Sequence, residues 1–351
     1  MEYGLLGEKL GHSFSPQIHR ALSGYDYQLL PTPPEQVEEL LRRRAFQGLN
    51  VTIPYKQTVI PFCDKVDPRA AAEELGAAKV VTVSRKGEDN YENLFRHGDA
   101  EVLINTTPVG MFPNAGASPV SLDIFPHLTG VLDVVFNPLC TALCMEAEAR
   151  GIPAACGLPM LVAQARRAAE LFTDTVIESE RMEAVLADLV RQVRNVVLIG
   201  MPGCGKSAVG RALARRLGKE FVDLDQIITE RAGKSIPDIF AQEGEDAFRA
   251  LETRTIREAG AHTGCVLSTG GGAVIRRENY APLHQNGVIV HIRRDVDRLP
   301  TAGRPVSQST DLHELWRRRE PLYAAFADVT ADNNGTMEET LHQIEKELNA
   351  L

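Results

Sequence analysis

The sequence has little positive charge and no long apolar run. Its 38 lysine and arginine residues are outnumbered by 47 acidic residues, so the net charge is −9 at pH 7. Because binding to a nucleic-acid backbone requires a basic surface, this composition argues against a nucleic-acid partner. No apolar stretch reaches the roughly 20 residues of a membrane-spanning helix, and no basic and apolar leader opens the chain. We therefore expect a soluble, cytoplasmic protein with no membrane partner.

Cysteine is also used sparingly, and without the spacing of a metal site. No CxxC pair occurs, and no cysteine and histidine cluster has zinc-binding spacing. This pattern predicts reduced, mostly buried thiols, as in cytosolic proteins. The six cysteines are Cys63, Cys140, Cys144, Cys156, Cys204 and Cys265.

Short β-branched runs alternate with helical stretches along the chain, which is the pattern of α/β folds. A charge-rich helix is predicted from Ser179 to Arg194, followed by a fully buried strand at Asn195–Ile199. We place the main domain boundary at Arg194, because the two halves meet there without a Gly/Ser linker. The strands predicted before it are Tyr3–Gly7, Tyr25–Leu30, Gly48–Ile53, Lys79–Ser84, Val102–Asn105 and Gly130–Phe136.

The segment GMPGCGKS, residues 200–207, has the context of a phosphate-binding P-loop, because it follows a strand and opens a helix. Its glycines let backbone N–H groups close around phosphate oxygens, and the helix N-terminus adds a positive dipole end. Lys206 would contact the β- and γ-phosphates, and the Ser207 hydroxyl would reach Mg²⁺. The alternative is a chance glycine-rich turn. The predicted ATP site comprises Gly203, Cys204, Gly205, Lys206, Ser207 and Ala208.

Two carboxylates, Asp223 and Asp225, end the next predicted strand. Their spacing puts both on one side of an extended chain, where a nearby cation would relieve their repulsion. One division of roles has Asp223 facing Mg²⁺ and Asp225 accepting the proton of a substrate hydroxyl. The alternative is that Asp225 is only a helix N-cap.

Three further segments carry candidate ligand-binding groups. Arg249 lies in GEDAFRALE, residues 244–252, and Arg319 lies in RRREPLY, residues 317–323. Gly270, Gly271 and Gly272 follow a predicted strand, where they allow close approach of a ligand or simply make a tight turn. The polar stretch 297–311 is punctuated by glycine and proline, which predicts a lid that carries Arg304.

In this order, the P-loop, FVDLD, the FR segment with its following Glu, GGG, GRP and REPLY resemble the shikimate kinase family over residues 195–351. The resemblance implies that Asp225 contacts the shikimate hydroxyls and acts as base, and that Arg249 and Arg319 bind the carboxylate. Gly271 would lie against the ring, and Arg304 would close over the phosphates. Arg298 is the candidate for a second lid arginine.

The first half resembles shikimate dehydrogenase. GHSFSP, GLNVTIPYK (48–56), INTTPVGM (104–111), VLDVVFNPLCT (131–141) and GLPMLVAQA (157–165) follow that family's order. The resemblance implies a substrate site with a catalytic lysine and a clamp for the NADP 2′-phosphate at Ser84 and Arg85. That lysine would be Lys56, in the same stretch as Thr52, while Ser13 and Ser15 would bind the shikimate carboxylate. Gln164 would contact the substrate, and Gly157 and Met160 would lie beside the nicotinamide.

Between Asp67 and Val80 the chain is shorter than that family's pattern. The expected first Rossmann strand, its Gly-rich phosphate turn and the carboxylate partner of Lys56 are missing. A 2′-phosphate clamp without a diphosphate site is half of a dinucleotide site, so the sequence makes NADP binding doubtful. We predict that residues 68–105 are the least well packed part of the protein.

The predicted fold is a P-loop, nucleoside-monophosphate-kinase-like parallel sheet, preceded by a truncated α/β dehydrogenase-like region with an incomplete Rossmann sheet. The predicted domains are 1–75, which is substrate-binding and incomplete, 76–194, a remnant NADP-binding region with returning helices, and 195–351, the kinase. The predicted function is an ATP- and Mg²⁺-dependent shikimate kinase of aromatic amino-acid biosynthesis, with a kinase half that acts as a monomer.

Three alternatives stay open at this stage. One is a bifunctional dehydrogenase and kinase, and another is a kinase joined to a non-catalytic shikimate-binding module. The third is a different small-metabolite P-loop kinase, such as a gluconate kinase.

Overall fold

The computed structural model describes residues 3–11, 13–64, 79–299 and 311–350. The chain divides into two compact units, each made of separate stretches. The first contains residues 1–103, 120–134 and 157–189, and the second contains 104–119, 135–156 and 190–351. The second unit thus adds two segments of the middle of the chain to the kinase half. The predicted boundaries at residues 75 and 194 remain predictions based on motif order.

The first unit opens with a parallel sheet in the order β2-β1-β3, formed by β1 (Tyr3–Gly7), β2 (Tyr27–Pro31) and β3 (Gly48–Val51). Helices α1 (Ser15–Ser23) and α2 (Pro34–Arg43) connect these strands. Leu6 on β1 packs with Val37 and Leu41 on α2 to form the core of this sheet. All three predicted strands are therefore present, although β2 begins two residues late and β3 ends two residues early.

The middle of the chain combines short strands with helices. They are β4 (Val102–Asn105), β5 (Gly130–Asp133), α3 (Ala142–Ala149), β6 (Ala154–Ala155), α4 (Leu158–Thr173) and α5 (Ser179–Val193). The strand predicted at Lys79–Ser84 is wrong, because residues 79–84 have no regular structure. Val80 is 60% exposed and Phe95 is 70% exposed. A strand pattern needs a paired neighbour to become a strand, and residues 79–84 pair with no strand in the described part of the chain.

The C-terminal half forms one five-stranded parallel sheet in the order β11-β10-β7-β9-β8. Counted from β7, this is the order 5-4-1-3-2, so the first strand lies in the centre. The strands are β7 (Asn195–Ile199), β8 (Glu220–Asp223), β9 (Cys265–Ser268), β10 (Gly287–Arg293) and β11 (Val329–Asp332).

Helices surround this sheet. They are α6 (Lys206–Leu217), α7 (Leu224–Ala232), α8 (Ile236–Glu243), α9 (Glu245–Gly260), α10 (Tyr280–His284), α11 (Leu312–Phe326) and α12 (Met337–Ala350). Every residue of β7 is buried, as expected for a central parallel strand covered on both faces. The fold is thus the predicted α/β fold, and the carboxyl ends of β7, β8 and β9 meet at one edge of the sheet. No helix in the described ranges is long and apolar enough to span a bilayer.

Candidate active site

The P-loop connects β7 to α6, as its sequence predicts. Gly203 and Gly205 have φ values of +86° and +102°, which only glycine adopts without strain. A Cβ atom on Gly205 would lie 2.4 Å from Asn333 Nδ2, so a side chain is also excluded by contact. The Lys206 ammonium is buried and donates to the carbonyls of Gly200 (2.9 Å) and Met201 (3.1 Å). The Lys206 side chain is therefore hydrogen-bonded to the backbone of the P-loop itself.

A hydroxyl and a carboxylate lie together beside this loop. Ser207 Oγ donates to Asp223 Oδ2 over 2.7 Å. Asp223 also caps α7, because its Oδ1 accepts from the backbone N–H of Asp225 at 3.2 Å. The N-cap is thus Asp223, and the alternative in which Asp225 is only the N-cap of this helix is wrong. Asp225 lies in the first turn of α7.

The glycine loop, residues 270–272, lies between the acidic and the basic groups of the site. A Cβ atom on Gly270 would come within 2.7 Å of Asp225 Oδ1 and 2.8 Å of Glu252 Oε1. A Cβ atom on Gly272 would lie 2.2 Å from Arg249 Nη1. The absence of side chains here is therefore what lets two carboxylates and a guanidinium approach the same short loop.

Arg249 is buried and held by two carboxylates of its own helix, α9. Its Nη1 donates to Glu252 Oε2 at 2.7 Å, while its Nε and Nη2 donate to Glu245 Oε1 at 3.2 and 3.1 Å. Glu252 is almost fully buried, whereas Glu245 is 60% exposed. Burial raises the pKa of Glu252, and Arg249 opposes that shift.

Arg319 reaches the same loop from α11. Its Nη1 donates to the Gly271 carbonyl at 3.1 Å, and Tyr323 OH, one turn further along, donates to the same oxygen at 2.6 Å. Both side chains are buried, and burial raises the pKa of Tyr323. The two arginines that the sequence singled out therefore border one glycine loop, although 70 residues separate them in sequence.

Three residues of this region were not assigned by sequence reasoning. Glu252 was visible only as the Glu after FR, and nothing in that pattern indicated that it is buried against Arg249. Tyr323 lies in the REPLY segment, but its hydrogen bond to Gly271 has no local signature. Asn333 donates to the P-loop carbonyl of Cys204 at 2.6 Å from 129 residues away, and no sequence signal pointed to it.

The predicted lid is only partly described. Arg304 lies outside the described residues, as does most of segment 297–311. Arg298 is described, and its Nη1 donates to the Asn334 carbonyl at 2.8 Å. In this structure Arg298 thus contacts the loop after β11.

The residues that the resemblance to shikimate dehydrogenase singles out all lie in the first unit. Ser13 Oγ donates to Ser15 Oγ at 3.1 Å, so the two serines predicted to bind a carboxylate are adjacent. Lys56 is exposed, and the backbone N–H of Thr52 donates to the Leu6 carbonyl at the end of β1.

The residues predicted to contact the cofactor, together with Gln164, which is predicted to contact the substrate, lie further along the first unit. Ser84 begins a tight turn in which the Gly87 N–H donates to its carbonyl, and Arg85 is exposed within that turn. Gly157 begins α4, and a Cβ atom there would lie 2.1 Å from the Val134 carbonyl oxygen. Met160 is 52% exposed, while Gln164 donates to the Leu161 carbonyl.

Comparison with known proteins supplies the family. Residues 202–349 match the family described as Shikimate kinase. A shikimate kinase of Bordetella avium is 40% identical over 146 residues, which cover 39% of this chain and 70% of that protein. A second one, from Actinobacillus pleuropneumoniae, is 43% identical over 146 residues and is covered to 84%. The C-terminal half belongs to the shikimate kinase family.

The N-terminal half has a different relationship. Residues 5–81 match the family described as Shikimate dehydrogenase substrate binding domain. The chain therefore joins a shikimate kinase domain to a region that is similar to a shikimate dehydrogenase domain, as its motifs predicted.

Two solved structures are each similar to a part of this chain. A shikimate kinase from Acinetobacter baumannii in complex with shikimate is 33% identical, with a TM-score of 0.42, and the match covers 47% of this chain and 97% of that one. A chorismate mutase/shikimate 5-dehydrogenase fusion protein from Clostridium acetobutylicum is 27% identical, with a TM-score of 0.47, and the match covers 53% of this chain and 96% of that one.

Proposed function

We propose that this chain transfers the γ-phosphoryl group of ATP to a hydroxyl of shikimate, giving ADP and 3-phosphoshikimate for chorismate and aromatic amino-acid biosynthesis. One observation carries the proposal: Asp225, Arg249 and Arg319 meet at the glycine loop, at the sheet edge that also carries the P-loop. A base, two guanidinium groups and a phosphate-binding loop are what a kinase of a small hydroxy-acid needs.

Each side chain then has a defined task. The forked guanidinium groups of Arg249 and Arg319 bind and orient the substrate carboxylate. Asp225 accepts the proton of the attacking hydroxyl. Lys206 balances the negative charge that develops on the transferred group, in a buried setting where water cannot replace it. Gly271 leaves room for the ring, and Arg304 is proposed to close over the phosphates.

Ser207, at the end of the P-loop, and Asp223, at the end of β8, form a pair that suits Mg²⁺. Ser207 Oγ and the Asp223 carboxylate are 2.7 Å apart, and hydroxyl and carboxylate oxygens are donors that a hard cation prefers. We propose that these two residues hold the ion, Asp223 through water. When bound, it neutralises charge on the β- and γ-phosphates.

We propose that the dehydrogenase-like half does not reduce NADP. The sequence lacks a Gly-rich diphosphate turn, and residues 79–84 do not form a strand. A nicotinamide that is not anchored by its diphosphate is not held against a substrate carbon, and small misplacements are costly to hydride transfer. Ser13, Ser15 and Thr52 keep a non-catalytic shikimate-binding role as the second candidate for this half.

A coupled assay of ADP release tests the kinase proposal. We expect ADP formation that requires Mg²⁺ and shikimate, and we expect Lys206→Ala to lower kcat by roughly 10²–10³-fold through the lost charge on the phosphoryl group. Lys234→Ala is the matched control, because Lys234 pairs with Glu243 on the surface. Near-normal turnover by Lys206→Ala would show that the P-loop is not the working site.

A further inference from the structure

Three of the six cysteines lie together in the second unit, in a region that the proposed kinase chemistry does not use. Cys156 Sγ lies 3.1 Å from Cys144 Sγ, and Cys140 is close enough to Cys156 to influence the pKa of its thiol. We call Cys140, Cys144 and Cys156 the thiol cluster.

Ordered backbone fixes the position of the cluster. Cys144 is in the first turn of α3, where its N–H donates to the Thr141 cap at 3.3 Å. The Thr141 N–H donates to Cys156 Sγ at 3.4 Å. The Cys140 N–H donates to the Gln285 carbonyl at 2.9 Å, which ties the segment to the end of α10. These hydrogen bonds fix the backbone at Cys140 and Cys144 and hold Cys156 Sγ against Thr141.

Two of the three thiols are within reach of solvent. Cys144 is buried, whereas Cys140 and Cys156 are half-buried. Cys140 Sγ lies 3.8 and 3.9 Å from the two carboxylate oxygens of Glu148, which accept its S–H. The neighbouring Cys140 and burial raise the pKa of Cys156 to about 12.

A metal ion does not explain this arrangement. Within the described ranges, no group of three or more histidine, cysteine or acidic side chains has the geometry to hold a metal. A disulfide bond has an S–S length of about 2.03–2.05 Å, so Cys144 and Cys156 need to approach by about 1 Å to form one.

We propose that the thiol cluster is an oxidisable site, in which a low-molecular-weight disulfide converts Cys144 and Cys156 into a disulfide bond by way of Cys140. The Cys140 thiolate attacks one sulfur of the small disulfide, whose S–S bond breaks and releases one thiol. Cys156 then attacks Cys140 Sγ and releases the second thiol. Cys144 finally attacks Cys156 Sγ, and Cys140 leaves as a thiolate that takes up a proton. Two protein thiols are oxidised and one small disulfide is reduced.

This proposal is independent of the kinase proposal, and its test does not need kinase activity. The reduced full-length chain is equilibrated with mixtures of reduced and oxidised glutathione, quenched with acid, alkylated and mapped by mass spectrometry. We expect one linked peptide pair, Cys144–Cys156, that forms with a defined midpoint and is reversed by dithiothreitol. Exposed Cys63 should carry only a glutathione adduct.

Variants separate the roles of the three thiols. Cys140→Ser should form the same disulfide at the same midpoint, but several-fold more slowly. Cys144→Ala should form no Cys144 link and should accumulate glutathione on Cys140 or a Cys140–Cys156 bond. Cys63→Ser is the matched control and should behave as the unmodified chain does.

A comparison of folded and urea-unfolded protein keeps the test independent of any variant. The folded chain should select Cys144–Cys156, whereas the unfolded chain should give a mixture of pairs. The proposal is overturned if Cys144 stays open to alkylation at equilibrium. It is also overturned if the folded chain gives only glutathione adducts, or a Cys140–Cys156 bond as its end product.

Discussion

At the scale of single residues, Asp225 and Asp223 separate two roles that their sequence leaves open. Asp223 caps α7 and accepts from Ser207, whereas Asp225 lies against the glycine loop. We expect Asp225→Asn to lower kcat by roughly 10²–10⁴-fold, because the change removes the base. The KM for ATP should stay within about twofold, since no nucleotide contact is lost.

Steady-state kinetics with both substrates varied checks this prediction. Asp246→Asn is the matched control, because Asp246 lies exposed in the first turn of α9. A selective loss of ATP affinity in Asp225→Asn would instead assign Asp225 to the metal or nucleotide site.

The two buried arginines are expected to act on substrate binding. Arg249→Lys and Arg319→Lys keep the charge but lose the fork geometry, and a hydrogen bond to a charged group contributes about 1.5–3 kcal/mol. Each should therefore raise the KM for shikimate about 10- to 100-fold, with a smaller effect on the KM for ATP.

Arg254→Lys is the control on the same helix, because Arg254 is exposed and pairs with Glu258. If both buried variants bind shikimate as the control does, the carboxylate lies elsewhere and the substrate assignment fails.

At the scale of secondary-structure elements, β10 carries a buried histidine behind the P-loop. His291 stacks on Tyr323 at 4.9 Å between ring centroids and lies 6.2 Å from the ring of Trp316. Burial lowers the pKa of His291 to about 4, and the charges of Arg293 and Lys206 add to this. In the unfolded chain its pKa returns to about 6.5.

The difference between these two pKa values makes the free energy of unfolding depend on pH. Between pH 6.5 and about 4 the unfolded chain binds a proton at His291 that the folded chain does not bind, so acid destabilises the fold. After allowance for partial solvation, lowering the pH from 7 to 5 should reduce the free energy of unfolding by about 1–2 kcal/mol through His291.

The single tryptophan, Trp316, reports locally on this unit. When urea unfolding is followed by its fluorescence, the free energy of unfolding should fall less between pH 7 and pH 5 in His291→Gln than in the unmodified chain. His342→Gln, at an exposed position of α12, should leave the loss unchanged. An equal pH dependence in all three proteins would contradict the assignment of the acid sensitivity to His291.

Some elements could be predicted to the residue and others could not. The bounds of β7 were predicted correctly, because a central parallel strand is a continuous apolar run between polar ends. Residues 79–84 have the same β-branched composition, but pairing decides whether such a run becomes a strand, and pairing is not local. In the site, the P-loop could be found from its own motif, whereas Glu252, Tyr323 and Asn333 act through contacts that only the fold creates.

At the scale of the whole molecule, the chain joins a shikimate kinase domain to a region similar to a shikimate dehydrogenase domain, and we propose that only the kinase domain has a working nucleotide site. We expect no NADP reduction with shikimate above about one per cent of the kinase turnover, since misplacement of the nicotinamide costs orders of magnitude in rate. Absorbance at 340 nm measures it, with an active shikimate dehydrogenase as positive control. Reduction at a rate near the kinase turnover would mean that other residues supply the missing diphosphate site.

The central claim is that this chain phosphorylates shikimate at one hydroxyl. The measurement that tests it most directly is phosphorus and proton NMR of a reaction of the purified chain with ATP, Mg²⁺ and shikimate. We expect equal amounts of ADP and 3-phosphoshikimate, with the new phosphorus signal coupled to the proton on carbon 3. Inorganic phosphate released at the same rate with or without shikimate, or phosphate on another hydroxyl, would contradict it.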